Sequence, residues 1–225
     1  MSPFEPVPRV ALIQLNSLPS RPSFKCSIWW VAKPGSREEA VAFAPREELR
    51  ESFGMDGPTL AFAGRLTTQK SLEVALAAVA DADVSLVIAG DGDERSRLER
   101  LAGSHVRFIG AQPRDRVVEL FRAADASILS SSWENFPHTV VEALAVGTPV
   151  IATTTGGVAE VVTDGFNGLL VPVGDAAALA DAVRRYFDDT QLRERLRANA
   201  VPSVAEYAPE RVFAQLEETL RAVAR

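Results

Sequence analysis

The chain has 225 residues, of which 47% are hydrophobic and 24% are charged, and its formal net charge at pH 7 is −6. These values are typical of a globular protein with a buried core, rather than of a disordered or fibrous chain. The negative charge argues against a nucleic-acid partner, because nucleic-acid surfaces need clustered lysine and arginine. The single cysteine, Cys26, excludes an internal disulfide and indicates a reducing compartment. Since the sequence shows neither a secretory segment nor an apolar run of roughly 18 residues, we expect a cytoplasmic protein, with attachment to the inner face of a membrane left open.

Residues 1–44 differ in composition from the rest of the chain. They contain six prolines, and proline fixes φ and removes a backbone hydrogen-bond donor. Regular helix or central strand is therefore not expected there. The sequence predicts an irregular extension at 1–44 and a folded domain at 45–225.

After the extension, six apolar runs of strand length alternate with stretches of helical spacing. The runs are 59–64, 84–90, 106–110, 126–131, 149–154 and 168–172. Strands that alternate with helices form βαβ units, so we predict an α/β fold with a doubly wound, Rossmann-like parallel sheet of about six strands, which binds ligands at the carboxyl ends of its strands. Helical spacing at 176–189 and 209–223 predicts C-terminal helices. The first carries Leu179, Val183 and Phe187 on its apolar face, and the second covers this sheet or a partner.

Two glutamates, Glu134 and Glu142, flank the start of a predicted helix. Pro137 is well suited to the first helical position, so we predict a helix from about 137 to 146 that ends at Gly147. The free N–H groups of its first turn, together with the helix dipole, form an anion site suited to phosphate. Carboxylates accept hydrogen bonds from paired hydroxyls, so the pattern suits a ligand with phosphate between two polyols. On spacing alone, solvated surface glutamates explain the pattern equally well.

Two cations, Arg65 and Lys70, follow the first predicted strand in the segment "FAGRLTTQKS". Arginine binds phosphate through its planar fork and lysine binds it as a point charge, so the pair can neutralise a diphosphate. An arginine and a lysine after a strand are more often merely solvated. Here, however, the cations and the glutamates are predicted at the same edge of one sheet, and this coincidence favours a binding site.

These segments resemble a known family. The stretches "GRLTTQK", "IAGDGDERSRLE", "VRFIG", "SSSWENFPHTVVEALAVGTPVIATTTGGVAEVV" and "GLLVP" occur in the order typical of the donor-binding, C-terminal domain of GT-B retaining glycosyltransferases of the family 4, or group 1, type. The two glutamates separated by seven residues are the strongest part of the likeness, which covers residues 40–225. The resemblance implies the donor-binding half of an enzyme that transfers a sugar from a nucleoside-diphosphate sugar to an acceptor with retention of anomeric configuration.

The resemblance also implies roles for individual residues. Arg65 and Lys70 would hold the donor diphosphate and stabilise the leaving group. Glu134 would contact hydroxyls of the transferred sugar, and Glu142 would bind the ribose hydroxyls. The remaining donor-binding positions are Phe108 and Ile109 beside the base, Asn135, Phe136 and Pro137 beside the sugar, Thr139 and Val140 beside the phosphates, and Gly64 in the loop of the two cations. No metal and no other cofactor is expected, because the cations and the helix dipole supply the charge stabilisation.

The chain departs from the family pattern in sequence and in length. Ser71 stands where glycine usually follows the lysine, and Asn135 stands where glycine is commoner. Too few residues precede the first predicted strand to form an acceptor-binding domain, so 1–44 is interpreted as an irregular extension or as a remnant of that domain. The family's catalytic histidine lies in the acceptor domain, and neither His105 nor His138 corresponds to it.

Two alternative functions are compatible with the sequence. The first is a nucleotide-sugar binding module that is inactive without a partner chain carrying the acceptor domain, with the helix at 209–223 available for that partner or for self-association. The second is an NAD-dependent Rossmann oxidoreductase, because "AGDGDE" at 89–94 imitates a dinucleotide fingerprint, although its third glycine is missing. The acceptor is not identified.

The turn "TTTGG" at 153–157 is either a tight turn that brings backbone to the ligand or an ordinary turn.

Overall fold

The structure is a computed structural model that describes residues 44–223. Residues 44–204 belong to one compact unit, and residues 205–223 belong to a second. The predicted extension lies outside the described residues except for Ala44, so its irregularity and the domain boundary at residue 45 stay predictions. No helix within 44–223 is both long and apolar enough to cross a membrane.

Strands and helices alternate along the first unit. The strands are β1 (Thr59–Ala63), β2 (Ser85–Ala89), β3 (Val106–Gly110), β4 (Ala126–Leu129), β5 (Val150–Thr153) and β6 (Gly168–Val171). The helices are α1 (Arg46–Ser52), α2 (Leu72–Asp81), α3 (Arg95–Leu101), α4 (Arg114–Ala123), α5 (His138–Ala145), α6 (Val158–Val161), α7 (Ala176–Asp188) and α8 (Thr190–Ser203), with a 3₁₀ turn at Thr68–Lys70. The second unit contains a 3₁₀ turn at Ala205–Tyr207 and α9 (Pro209–Val223). All six predicted strands are present, and the largest difference is at β4, which ends at Leu129 rather than at residue 131.

The six strands form one parallel sheet in the order β3-β2-β1-β4-β5-β6, and this confirms the predicted doubly wound fold. The chain begins the sheet in the middle at β1, adds β2 and β3 on one side, and then crosses over to add β4, β5 and β6 on the other. The connections that follow β1 and β4 therefore diverge, which opens a crevice at the carboxyl ends of these two strands. In sheets of this type, ligands bind in that crevice.

Apolar side chains cover both faces of the sheet. Every residue of β1, β4 and β5 is buried, which explains why these strands are continuous apolar runs rather than alternating ones. Among the helices, α2 packs against α3 and α7, whereas α4 packs against α1 and α5, and α5 packs against α8. Leu179 and Val183 of the predicted apolar face of α7 are buried and Phe187 is half-buried, while the fully buried aromatic ring of this helix is that of Tyr186, whose hydroxyl donates to the carbonyl of Asp125 at 2.5 Å.

Candidate functional site

The loop after β1 carries the two predicted cations. Gly64 extends the strand by donating its N–H to the Ala89 carbonyl at 3.0 Å. The 3₁₀ turn Thr68–Lys70 then leads to Ser71, whose φ of 44° and ψ of 43° are left-handed. Glycine adopts this conformation without the steric penalty that other residues suffer. The serine that departs from the family's usual glycine therefore occupies a strained backbone position directly after Lys70.

Lys70 and Glu134 meet across the crevice. The ammonium nitrogen of Lys70 lies 2.5 Å from Oε1 of Glu134, and the Ser131 hydroxyl donates to the same oxygen at 2.6 Å. The Glu134 side chain is buried, so its carboxylate is fixed by one ion pair and one hydrogen bond. The lysine follows β1 and the glutamate follows β4, which are the two strands at the reversal of strand order. The structure thus brings these two predicted site residues together.

Further hydrogen bonds hold the two loops against each other. The Gln69 carbonyl accepts from both the N–H and the hydroxyl of Ser132, at 2.9 and 3.1 Å. The Gln69 side chain donates to the Trp133 carbonyl at 2.8 Å, and the Ser130 hydroxyl donates to the Lys70 carbonyl at 2.9 Å. Because these bonds involve backbone on both sides, the relative position of the lysine and the glutamate is set before any ligand binds.

The turn that contains Gly156 and Gly157 supports the loop of Glu134 from the other side. The Gly157 N–H donates to the Glu134 carbonyl at 3.1 Å. A Cβ atom at Gly156 would lie 1.9 Å from that carbonyl oxygen, and one at Gly157 would lie 2.2 Å from the Asn135 carbonyl oxygen. The two glycines therefore allow close approach of backbone to the protein's own loop, a role that neither sequence interpretation of "TTTGG" included.

The helix that follows Glu134 offers fewer free donors than expected. Pro137 precedes α5 rather than occupying its first position, because the first helical bond runs from the Val141 N–H to the Pro137 carbonyl. The N–H groups of His138 and Val140 donate within this turn to Phe136 and Pro137, at 3.1 and 3.0 Å. Within residues 44–223, the amide of Thr139 is the first-turn donor left without an acceptor. The prediction of several free amides is wrong, because the Val140 N–H bonds to a carbonyl three residues back, as in a 3₁₀ turn, and the His138 N–H bonds to a carbonyl two residues back.

Glu142 lies buried inside α5 and faces a cation that the sequence analysis did not identify. Nη2 of Arg114, the first residue of α4, lies 2.9 Å from Oε1 of Glu142. The contact is an ion pair rather than a well-aligned hydrogen bond. Burial raises the pKa of Glu142, and the Arg114 charge opposes that rise. In sequence, Arg114 shares one signal with Arg65 and Lys70, namely a cation just beyond a strand, but nothing local connects it to Glu142.

His138 lies at the same helix start and is not aligned with a carboxylate for proton transfer in the described structure. Its ring packs edge-on against Phe136, with centroids 4.9 Å apart. Partial burial lowers the pKa of His138, and the nearby Arg114 charge lowers it further, while Glu134 acts in the opposite direction. The imidazole is therefore favoured in its neutral form at the mouth of the crevice.

The predicted base-binding residues lie apart from the lysine–glutamate pair. Phe108 and Ile109 are half-buried in β3, an edge strand separated from β1 by β2. The Ile109 carbonyl accepts from the Gln112 side chain at 2.6 Å. Any ligand that contacts both regions must therefore extend along the carboxyl edge of the sheet across β2, which suits a long ligand with a base at one end.

The glycines of "AGDGDE" have a structural role. A Cβ atom at Gly90 would lie 1.8 Å from the Gly64 carbonyl oxygen, and one at Gly92 would lie 2.3 Å from the Leu66 carbonyl oxygen. Leu66 also donates its N–H to the Asp91 carbonyl at 2.9 Å. These glycines allow the loop after β2 to approach the loop of the two cations, which explains the partial fingerprint without a dinucleotide.

Comparison with known proteins identifies the family. The model of the family named glycosyl transferases group 1 matches residues 45–201. The chain belongs to the glycosyl transferases group 1 family. This confirms the family resemblance found in the sequence.

Relatives of the group 1 chain are named for the sugars they transfer. Alpha-D-kanosaminyltransferase of Streptomyces kanamyceticus is 32% identical over 176 residues, which cover 73% of this chain and 46% of that protein. GDP-mannose-dependent alpha-mannosyltransferase of Mycobacterium tuberculosis is 38% identical over 154 residues, 66% of this chain and 40% of that protein. The chain thus spans about half the length of the curated relatives it matches. The crystal structure of Anabaena HepE in complex with UDP-glucose is 25% identical, with a TM-score of 0.73, and the match covers 80% of this chain and 54% of that one.

Proposed function

We propose that this group 1 chain binds a nucleoside-diphosphate sugar at the carboxyl ends of β1 and β4 and supplies the donor half of a retaining glycosyltransferase. The observation that carries the proposal is the contact between Lys70 and Glu134 at the reversal of strand order. A cation for phosphate and a carboxylate for sugar hydroxyls lie side by side there, in the crevice where sheets of this type bind ligands.

The cations supply the charge that the departing diphosphate requires. Arg65 is exposed, and within residues 44–223 its side chain has neither an ion-pair partner nor a hydrogen-bond partner. Lys70 is held by Glu134 but keeps part of its surface accessible. During transfer, the bond between the anomeric carbon and the phosphate oxygen breaks, the acceptor oxygen bonds to that carbon, and the acceptor proton leaves with the diphosphate. The positive charges favour this step because negative charge develops on the leaving group.

The two glutamates bind hydroxyl groups at opposite ends of the donor. Glu134 lies beside Lys70 and is assigned to the transferred sugar, whereas Glu142 lies further inside α5 and is assigned to the ribose. Both are buried, so hydrogen bonds to them form away from bulk water, where they are stronger. Proposed backbone contacts come from Gly64, Phe108, Ile109, Asn135, Phe136, Pro137, Thr139 and Val140. We propose that no metal takes part, because the two cations and the open Thr139 amide are all assigned to the diphosphate and supply its charge stabilisation.

The comparisons support a nucleotide-sugar ligand without fixing its identity. The HepE structure contains UDP-glucose, whereas the mycobacterial relative is named for GDP-mannose. Either nucleotide suits a site that holds phosphate by charge and ribose by a carboxylate. The oxidoreductase alternative loses its support, because packing between two loops explains Gly90 and Gly92.

The binding-module alternative rests on the share of the relatives that the chain covers, 46% of one and 40% of another. A donor half that lacks the acceptor half binds nucleotide sugar and transfers nothing by itself. The acceptor half would come from a longer protein or from a partner chain. Both versions of the proposal require the donor site described above, and they differ only in turnover.

Calorimetric titration of the chain with UDP, UDP-glucose, GDP, GDP-mannose and NAD tests the proposal. We expect binding of at least one nucleotide sugar, tighter than that of its free nucleotide, because Glu134 adds contacts to the sugar. Arg65→Ala should weaken that binding. Affinity for NAD without affinity for any of the other four ligands would overturn the assignment.

A further inference from the structure

Arg114 makes the one described contact that joins α4 to the carboxylate of Glu142. Its Nη2 lies 2.9 Å from Oε1 of the glutamate. Nε and Nη2 of the arginine are shielded from solvent and have no well-aligned hydrogen-bond acceptor in the described part of the chain. The arginine is thus placed by the packing of α4 against α5 rather than by a hydrogen-bond network of its own, and its charge is directed at Glu142.

The surroundings of Glu142 make that charge important. The side chain is only 9% exposed, so burial removes most of the water that would solvate its charge. An ionised carboxylate in such surroundings is costly unless a cation compensates it. Arg114 is the charged group that acts on Glu142 within residues 44–223, and His138, one turn earlier on α5, is favoured in its neutral form.

We propose that Arg114 is a positioning residue of the donor site, which keeps Glu142 ionised and holds its carboxylate toward the ribose without contacting the nucleotide itself. The proposal rests on the proposed function, because it assumes that Glu142 binds ribose. An ionised carboxylate accepts hydrogen bonds from both ribose hydroxyls, and charge-assisted hydrogen bonds are about twice as strong as neutral ones. A protonated Glu142 loses part of that capacity.

The electrostatics give the proposal a pH signature. Burial raises the pKa of Glu142 and Arg114 lowers it. Removal of the arginine charge therefore raises the pKa further, so that Glu142 becomes protonated at less acidic pH. Donor affinity should then fall as the pH is lowered and return as the pH is raised. A purely structural role for Arg114 would lower affinity equally at every pH.

The first experiment follows Glu142 directly in the ligand-free protein. Carboxyl ¹³C NMR titration, with Glu142 assigned by its absence in Glu142→Gln, is carried out on the wild type, Arg114→Gln and Arg114→Lys. We expect a higher pKa of Glu142 in Arg114→Gln and a pKa near that of the wild type in Arg114→Lys. Arg100→Gln removes the same charge from an exposed position and should change nothing. An unchanged titration in Arg114→Gln overturns the proposal.

The second experiment measures the affinity for UDP-glucose from about pH 5 to pH 8. We expect Arg114→Gln to bind about tenfold more weakly than the wild type at the acidic end, where its Glu142 is protonated, and to recover at the alkaline end. In the Glu142→Gln background, Arg114→Gln should cause no further loss. A further loss in that background would show direct contact with the nucleotide and overturn the proposal.

Different results would overturn the proposed function and the role of Arg114. A wild-type chain that binds no nucleotide or nucleotide sugar overturns the proposed function and, with it, the role of Arg114. A wild-type chain that binds UDP-glucose, while Arg114→Gln leaves the pH profile unchanged, overturns the role of Arg114 alone.

Discussion

At the amino end of the sheet three arginines converge on one aspartate, whereas around the crevice at the carboxyl ends of β1 and β4 the charged side chains form separate pairs. Asp125, which precedes β4, lies 2.7 Å from Arg46, 3.4 Å from Arg50 and 3.4 Å from Arg197. It also accepts the N–H of Thr59 at 2.9 Å. Two of the arginines belong to α1 and one to α8, so a single carboxylate ties both helices to the start of β1.

The arginines at the amino end are bonded to backbone as well. Arg46 donates to the carbonyls of Arg122 and Ala124 at 3.3 and 3.2 Å, and Arg50 donates to the carbonyl of Ala123 at 3.1 Å. These carbonyls end α4, where cations are favoured by the helix dipole. The charges at this end are therefore used to hold the fold together.

Around the crevice, each of the two buried glutamates has one cation. Lys70 pairs with Glu134, and Arg114 pairs with Glu142. Arg65 has no charged partner within the described chain. Charged side chains that also bond to backbone therefore stabilise the fold. Charged side chains with one ion-pair partner, or with none, remain available for a ligand. Mutations at the two ends should therefore separate stability from binding.

The largest effect is expected at the amino end. Asp125→Asn should lower the free energy of unfolding by about 3 kcal/mol, because it leaves partly buried arginines without their shared counter-charge. The affinity for UDP-glucose should not change in the folded protein. Denaturant unfolding and calorimetry measure the two quantities. A variant that loses affinity but keeps its stability would show that Asp125 serves the binding site rather than the fold.

Gly156→Ala should be nearly as damaging, but at the carboxyl end. The added Cβ would lie 1.9 Å from the Glu134 carbonyl oxygen, and the φ of Gly156 is +41°. We expect a stability loss of about 2 kcal/mol from strain and overpacking. The affinity for UDP-glucose should fall more than the affinity for UDP, because the displaced loop carries Glu134. Gly165→Ala is the matched control, since Gly165 has a φ of +70° but open space around it. Equal effects of both substitutions would show that only backbone conformation matters.

The two cations of the loop after β1 should differ in one respect. Arg65→Ala and Lys70→Ala should each weaken nucleotide-sugar binding by about 1.5–3 kcal/mol, the scale of charge-assisted hydrogen bonds. Arg65→Ala should leave the free energy of unfolding unchanged, whereas Lys70→Ala should lower it, because Glu134 loses its partner. Calorimetry and chemical unfolding of both variants provide the test. If both variants bind nucleotide sugar with the affinity of the wild type, the assignment of the diphosphate to this loop is wrong.

Glu134→Gln and Glu142→Gln should separate the sugar from the ribose. Glu142→Gln should weaken both UDP and UDP-glucose, by about 1–2 kcal/mol, because ribose is common to both ligands. Glu134→Gln should spare UDP and weaken UDP-glucose. The ratio of the two dissociation constants in each variant decides the matter, and identical ratios in both variants would contradict separate roles.

The smallest effect is expected from relief of backbone strain. Ser71→Gly should raise the free energy of unfolding by about 0.5 kcal/mol, because glycine tolerates the left-handed φ but loses more entropy on folding. Asp83→Gly is the control, since Asp83 also has a positive φ, 53°, and lies outside the crevice loops. Donor affinity should stay unchanged in both variants. A destabilised Ser71→Gly would mean that the serine hydroxyl contributes more than the strain costs.

The sequence by itself determined the strands, the doubly wound topology and the family, because hydrophobic periodicity, turn residues and motif order are all local signals. It also placed Lys70 and Glu134 at one edge, because the carboxyl ends of parallel strands share an edge. Only the tertiary structure decided that this lysine and this glutamate are in contact, that Arg114 faces Glu142, and that Gly156 supports the Glu134 loop. These contacts join segments that are far apart in the chain, and their distances depend on how α4, α5 and the loops pack together. The structure also decided which first-turn amides of α5 stay free, since a shift of one residue in the helix start changes which N–H groups find an acceptor.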